Sequence, residues 1–104
     1  MTAQWMIYGA NGYTGQLVAR LAVRRGERPI LAGRSPAPVR QLAAELGLPH
    51  RVVDLANRPG LRDALRDVAA IAHVAGPFEA TADRMVQACL QTGTHYLDVN
   101  GEVG

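Results

Sequence analysis

Short apolar runs alternate along the chain with longer segments whose apolar residues recur at helical spacing. Trp5 to Tyr8 is a compact apolar run closed by Gly9, the pattern of a buried strand. Across residues 14–25, Leu17, Val18, Leu21 and Ala22 fall at helical spacing with arginines opposite, which predicts an amphipathic helix with those four on its buried stripe. Pro29 to Ala32 predicts a second strand, closed by Gly33. Val39, Leu42, Ala43 and Leu46 mark a second helix, ended by Gly47 as a left-handed cap before Pro49. Arg51 to Val53 is a short third strand. Pro59 suits a first helical turn, where no N–H is required, and Leu61, Ala64, Leu65 and Val68 follow at helical spacing. Ala69 to Ala75 is nearly all apolar, as in a strand covered on both faces. Met85, Val86, Cys89 and Leu90 mark a fourth helix ended by Gly93, and Tyr96 to Val99 a fifth strand.

Five β-runs separated by four helices, with short connections, predict an α/β fold. Parallel strands joined by right-handed crossovers form a doubly wound sheet, here in the order 3-2-1-4-5. In that order a ligand binds at the carboxyl ends of strands 1 and 4, where the winding reverses.

Composition narrows the class. The chain has 104 residues, 48% hydrophobic and 19% charged, which fits one folded domain and excludes intrinsic disorder. All 11 basic residues are arginine, but they are dispersed and the net charge is only +2, so no nucleic-acid stripe is expected. No apolar run approaches the ~20 residues of a membrane span, and the N-terminus lacks the order of a signal peptide. A single cysteine, Cys89, excludes an internal disulfide framework and fits a reducing, cytoplasmic compartment.

The chemistry concentrates at Gly9-Ala10-Asn11-Gly12-Tyr13-Thr14-Gly15, between the first strand and the first helix. Gly9 permits a tight exit from the strand, Gly12 lets backbone approach a pyrophosphate, and Gly15 lets the helix pack closely on the sheet. The helix N-terminus aims free N–H groups and partial positive charge at the phosphates, and Thr14 serves as a helix cap or a phosphate donor. A dinucleotide site that prefers NAD places an acid at the end of strand two. Here Arg34 and Ser35 stand there, offering a guanidinium fork and a hydroxyl to a 2′-phosphate, so NADP and NADPH are favoured over NADH. Asp54, after strand three, is either an acceptor for the adenine amino group or a turn residue. Ala75, Gly76, Pro77 and Phe78 end strand four across the switch point, where Phe78 is placed to pack against a ribose or nicotinamide.

Other candidates are weaker. His50, His73 and His95 form no pair at helical spacing and have no cysteine cluster beside them, so no metal site is expected. His73 reads as a core histidine and Cys89 as a core thiol. There is no GxSxG elbow, which argues against a hydrolase.

The segments MIYGANGYTGQLVARLA, LAGRS, VAGPF and ACLQTGTHYLDVNGE together resemble the NADP-binding domain of the saccharopine dehydrogenase-like family, which includes trans-acting enoyl reductases. The resemblance runs in order from Met6 to Glu102. It implies a Rossmann domain whose phosphate turn matches Gly9, Gly12 and Gly15. Its phosphate-reading arginine matches Arg34, and its nicotinamide loop Gly76, Pro77 and Phe78. Tyr96, Asp98, Gly101 and Glu102 match the segment leading toward the substrate domain. Asn11 stands where many relatives carry Thr and keeps a polar side chain over the phosphates. Residues 1–104 are therefore expected to be a dinucleotide-binding domain, either an N-terminal fragment without its substrate domain or an unusually short stand-alone protein. The function expected is hydride transfer to or from a C=N, C=C or C=O bond in the complete enzyme, with little turnover by this chain alone. The alternative is a non-enzymatic NADP(H)-sensing or interaction module. Homo-oligomers through surface left uncovered are a further expectation.

Overall fold

A computed structural model describes residues 4–10, 12–74, 84–85 and 88–98. The elements are β1 (Trp5–Tyr8), α1 (Tyr13–Arg24), β2 (Ile30–Gly33), α2 (Pro36–Leu46), β3 (His50–Val52), α3 (Arg58–Leu65), β4 (Ala70–His73), a fourth helix α4 whose described residues are 84–85 and 88–92, and β5 (His95–Asp98). All strand pairings are parallel, and the sheet order is β3-β2-β1-β4-β5. The central strand β1 is flanked on one side by β2, with Tyr8 opposite Ala32, and on the other by β4, with Tyr8 opposite His73. The order reverses at β1, so the carboxyl ends of β1 and β4 open a crevice at the switch point.

Each face of the sheet buries its own apolar cluster. One gathers Met6, Tyr8, Ile30 and Ile71 with Leu61 and Leu65 of α3 and Met85, Ala88 and Cys89 of α4. The other gathers Ile7 and Leu31 with Ala19 of α1 and Leu42 and Ala43 of α2. Alternate strand residues feed opposite clusters, as the two-residue period of a strand requires.

The helix ends follow local chemistry. Gly47 closes α2 with φ 67°, and Leu48 N–H returns to the Ala43 carbonyl at 2.9 Å. Asn57 caps α3, its side-chain oxygen accepting from the Gly60 N–H at 3.1 Å.

The buried face of α1 differs from the sequence expectation. Gly15, Ala19 and Ala22 face the sheet, whereas Leu17 and Leu21 are 53% and 48% exposed. The reason is distance. Residues without bulk at three- and four-residue spacing let α1 lie close on β1, and leucines on that line would hold it away. Strand limits shift by one or two residues. β3 begins at His50 instead of Arg51, β5 at His95 instead of Tyr96, and β4 ends at His73. No helix among the described residues is long and apolar enough to cross a membrane.

Candidate functional site

The crevice begins with the turn after β1. Gly9 has φ 90°, a conformation that an L side chain resists. The N–H groups of Gly9 and Ala10 both donate to the Ala32 carbonyl of β2, at 2.8 and 3.2 Å, and pin the turn to the sheet. Gly12 N–H then donates to the Gly9 carbonyl at 3.1 Å.

The three glycines have different constraints. A Cβ on Gly15 would overlap the Gly9 carbonyl oxygen and lie 2.7 Å from the Ala10 Cα, backbone that has nowhere to go. Gly9 and Gly15 are therefore demanded by the fold. Gly12 is not. Its φ of −76° and ψ of 171° suit any residue, and an added Cβ would meet the Gly9 oxygen at 3.4 Å, ordinary contact. The absence of a side chain at Gly12 leaves the backbone at the helix N-terminus bare of a Cβ.

That terminus has free donors. Helical bonding starts with Gln16 N–H to the Gly12 carbonyl at 2.9 Å. The N–H groups of Tyr13, Thr14 and Gly15 have no partner among the described residues. Gly12 is the N-cap, so Thr14 is the second residue of the helix and is not the cap. Tyr13 and Thr14 are exposed. Asn11 lies outside the described residues.

The second part of the crevice is the corner where β1, β2 and β3 end. Tyr8, almost fully buried, reaches past Ala32 of β2, and its hydroxyl donates to the Val53 carbonyl at 2.8 Å. Ala32, opposite Tyr8 on the intervening strand, presents only a methyl beside that span. Burial pushes the Tyr8 hydroxyl up to about 12, the charge of Asp54 adds to the rise, and Arg34 pulls the other way. Arg34 and Asp54 thus act on the same buried phenol from the ends of β2 and β3.

Arg34 is exposed and has no ion-pair partner among the described residues. Ser35 is the N-cap of α2, yet its hydroxyl makes no cap bond. Asp54 is a turn residue, one oxygen accepting from the Ala56 N–H at 2.9 Å. The fold therefore brings Gly9, Gly12, Tyr13, Thr14 and Gly15 to one edge, with Arg34, Ser35 and Asp54 beside them. Ala75, Gly76, Pro77 and Phe78 lie outside the described residues, as do Gly101 and Glu102. Sequence reasoning missed Tyr8; its signal was a polar aromatic as the last residue of an otherwise apolar strand.

Two core residues fit their sequence readings. His73 is buried, its Nδ1 2.9 Å from the Tyr96 hydroxyl, with its ring edge-on to both Tyr8 and Tyr96. Burial pushes the Cys89 thiol up to about 11, which leaves it protonated and unreactive near neutral pH.

Comparison with known proteins gives a consistent picture. Residues 5–103 match the family model described as the saccharopine dehydrogenase NADP binding domain. The chain is 31% identical over 105 residues to a trans-acting enoyl reductase of Mycobacterium ulcerans, covering 94% of this chain and 25% of that protein. Among solved structures, it resembles apo saccharopine dehydrogenase (L-Glu forming) from Saccharomyces cerevisiae with a TM-score of 0.81 at 17% identity, covering 98% of this chain and 22% of that one. It likewise resembles the Citrobacter sp. triphenylmethane reductase complexed with NADP(H), with a TM-score of 0.80 at 21% identity over 92% of this chain and 37% of that one. The chain thus spans about a quarter of the length of the curated relatives it matches.

Proposed function

We propose that this chain, which belongs to the saccharopine dehydrogenase NADP-binding domain family, holds NADP(H) in the crevice above β1 and serves as the cofactor domain of an oxidoreductase. The observation that carries this reading is Gly12. The fold tolerates a side chain there, yet the position is bare and lies before three free helical amides. A pyrophosphate resting on that backbone satisfies those donors and meets the positive end of the α1 dipole.

The remaining contacts follow from placement. Arg34 and Ser35, at the end of β2 with their polar groups unspent, receive the 2′-phosphate. An acid at that position would repel it, and there is none, so NADPH is preferred to NADH. Tyr8, locked to the Val53 carbonyl, braces the floor of this corner and stays neutral at working pH. Asp54, with one oxygen held by the Ala56 N–H, has its other oxygen left to accept from the adenine amino group. When bound, the nicotinamide supplies hydride chemistry toward a C=N, C=C or C=O bond. This chain binds and orients, and the groups that select the substrate come from elsewhere in the enzyme.

Fluorescence titration tests the reading. NADPH binds more tightly than NADH. Arg34→Ala weakens NADPH about 10- to 100-fold, the worth of one lost charge-assisted bond of ~1.5–3 kcal/mol, and leaves NADH nearly unchanged. Equal affinities for both cofactors in the wild type remove the role given to Arg34.

A further inference from the structure

On the opposite face from α1, the groove between α3 and α4 is lined by Arg58, Leu61, Arg62, Arg84, Ala88 and Gln91. Arg20, Arg51 and Arg66 each pair with an acid. Arg58, Arg62 and Arg84 have no acidic or hydrogen-bonding partner among the described residues, and all three are exposed. Their positions oppose local helix chemistry. Arg58 sits in the first turn of α3, at the positive end of the helix dipole, where a cation is unfavourable. Arg58 and Arg62 are four residues apart on one helix, about 6 Å between Cβ atoms, and repel each other. Arg84 adds a third like charge from the facing helix. Among the described residues no acid offsets this gathering, and such local conflicts concentrate at binding sites.

We propose that these three arginines form a second anion site, distinct from the cofactor crevice, for a dianionic phosphate group. Three guanidinium forks carry more charge and more donors than one carboxylate needs, and they match the three terminal oxygens of a phosphate. The groove is open to solvent, so a phosphate seated between the three arginines leaves the rest of its carrier outside. Leu61 and Ala88 form its floor, and Gln91, two turns from Arg84, extends the polar lining along the groove. The phosphate is therefore the anchored end of its carrier. It is either a free phosphorylated small molecule or a phosphate ester on a partner protein.

The test uses the chain saturated with NADPH, so that the crevice is filled. Titration with inorganic phosphate, and separately with a blocked phosphoserine peptide, is followed by amide NMR shifts. The amides of Leu61 and Ala88 move, and Arg62→Gln and Arg84→Gln each weaken binding at least tenfold. Tighter inorganic phosphate identifies a free ligand, and a tighter phosphopeptide identifies a protein-borne one. Arg58→Gln weakens binding equally while leaving the melting temperature unchanged or raised, because it relieves repulsion. Shifts confined to residues 9–15, equal binding by the arginine variants, or a lowered melting temperature in Arg58→Gln with binding intact overturn the proposal.

Discussion

Replacing Gly12 and Gly15 separately with alanine separates what the turn does for the fold from what it does for a ligand. In Gly15→Ala the new methyl meets backbone, with Ala10 Cα at 2.7 Å and Ala10 carbonyl carbon at 2.9 Å. Neither atom belongs to a side chain that can rotate away, so α1 must shift off the sheet. Overpacking of this kind costs about 1–3 kcal/mol, a large part of a small domain's stability. In Gly12→Ala the methyl has ordinary contact at 3.4 Å and an allowed backbone, so the apo protein loses no more than about 1 kcal/mol, mainly because alanine is the poorer N-cap. The same methyl stands where the pyrophosphate must approach the free amides. Losing one charge-assisted bond of ~1.5–3 kcal/mol weakens NADPH about 10- to 100-fold. Urea denaturation of the apo variants and calorimetric titration with NADPH measure the two effects. If Gly12→Ala binds NADPH like the wild type, or unfolds as readily as Gly15→Ala, the division of roles between the glycines is wrong.

Tyr8→Phe orphans the Val53 carbonyl and lowers stability by about 1–3 kcal/mol in denaturant melts; an unchanged midpoint shows that the 2.8 Å bond contributes nothing. Stability also falls at high pH. The unfolded Tyr8 ionises near its ordinary value of 10.0 and the folded one near 12, so stabilisation of at most about 2.7 kcal/mol is complete below pH 10 and lost as pH rises toward 12. Cys89 adds a loss of the same sign between 9.0 and about 11. In Tyr8→Phe the upper part of that decline disappears, and an identical alkaline profile contradicts the assignment to Tyr8. Ala32→Leu fills the gap through which Tyr8 reaches β3, breaks the bond and lowers the melting temperature; wild-type stability shows that the span does not depend on Ala32.

Much of the fold was legible because its signals are local. Gly47, Asn57 and the Pro59 turn act within a few residues of themselves, and the apolar runs at Trp5–Tyr8 and Ile30–Gly33 are buried wherever a doubly wound sheet forms. The glycine turn was legible for the same reason. Helix α1 was misread because hydrophobicity ranks Leu17 and Leu21 above Ala19 and Gly15, whereas close packing on a sheet selects for small size. The Tyr8–Val53 bond joins residues 45 apart in sequence through a gap left by a third strand, and no local pattern carries that information. The grouping of arginines on α3 and α4 was not legible, since only the packing of the two helices places Arg84 beside Arg58 and Arg62.

A crystal structure of this chain with NADPH tests the central claim most directly. Pyrophosphate oxygens should lie within hydrogen-bond distance of the Tyr13 and Thr14 amides, over a bare Gly12, with the 2′-phosphate on Arg34. A diphosphate bound away from the start of α1, or that corner closed by a side chain, would contradict it.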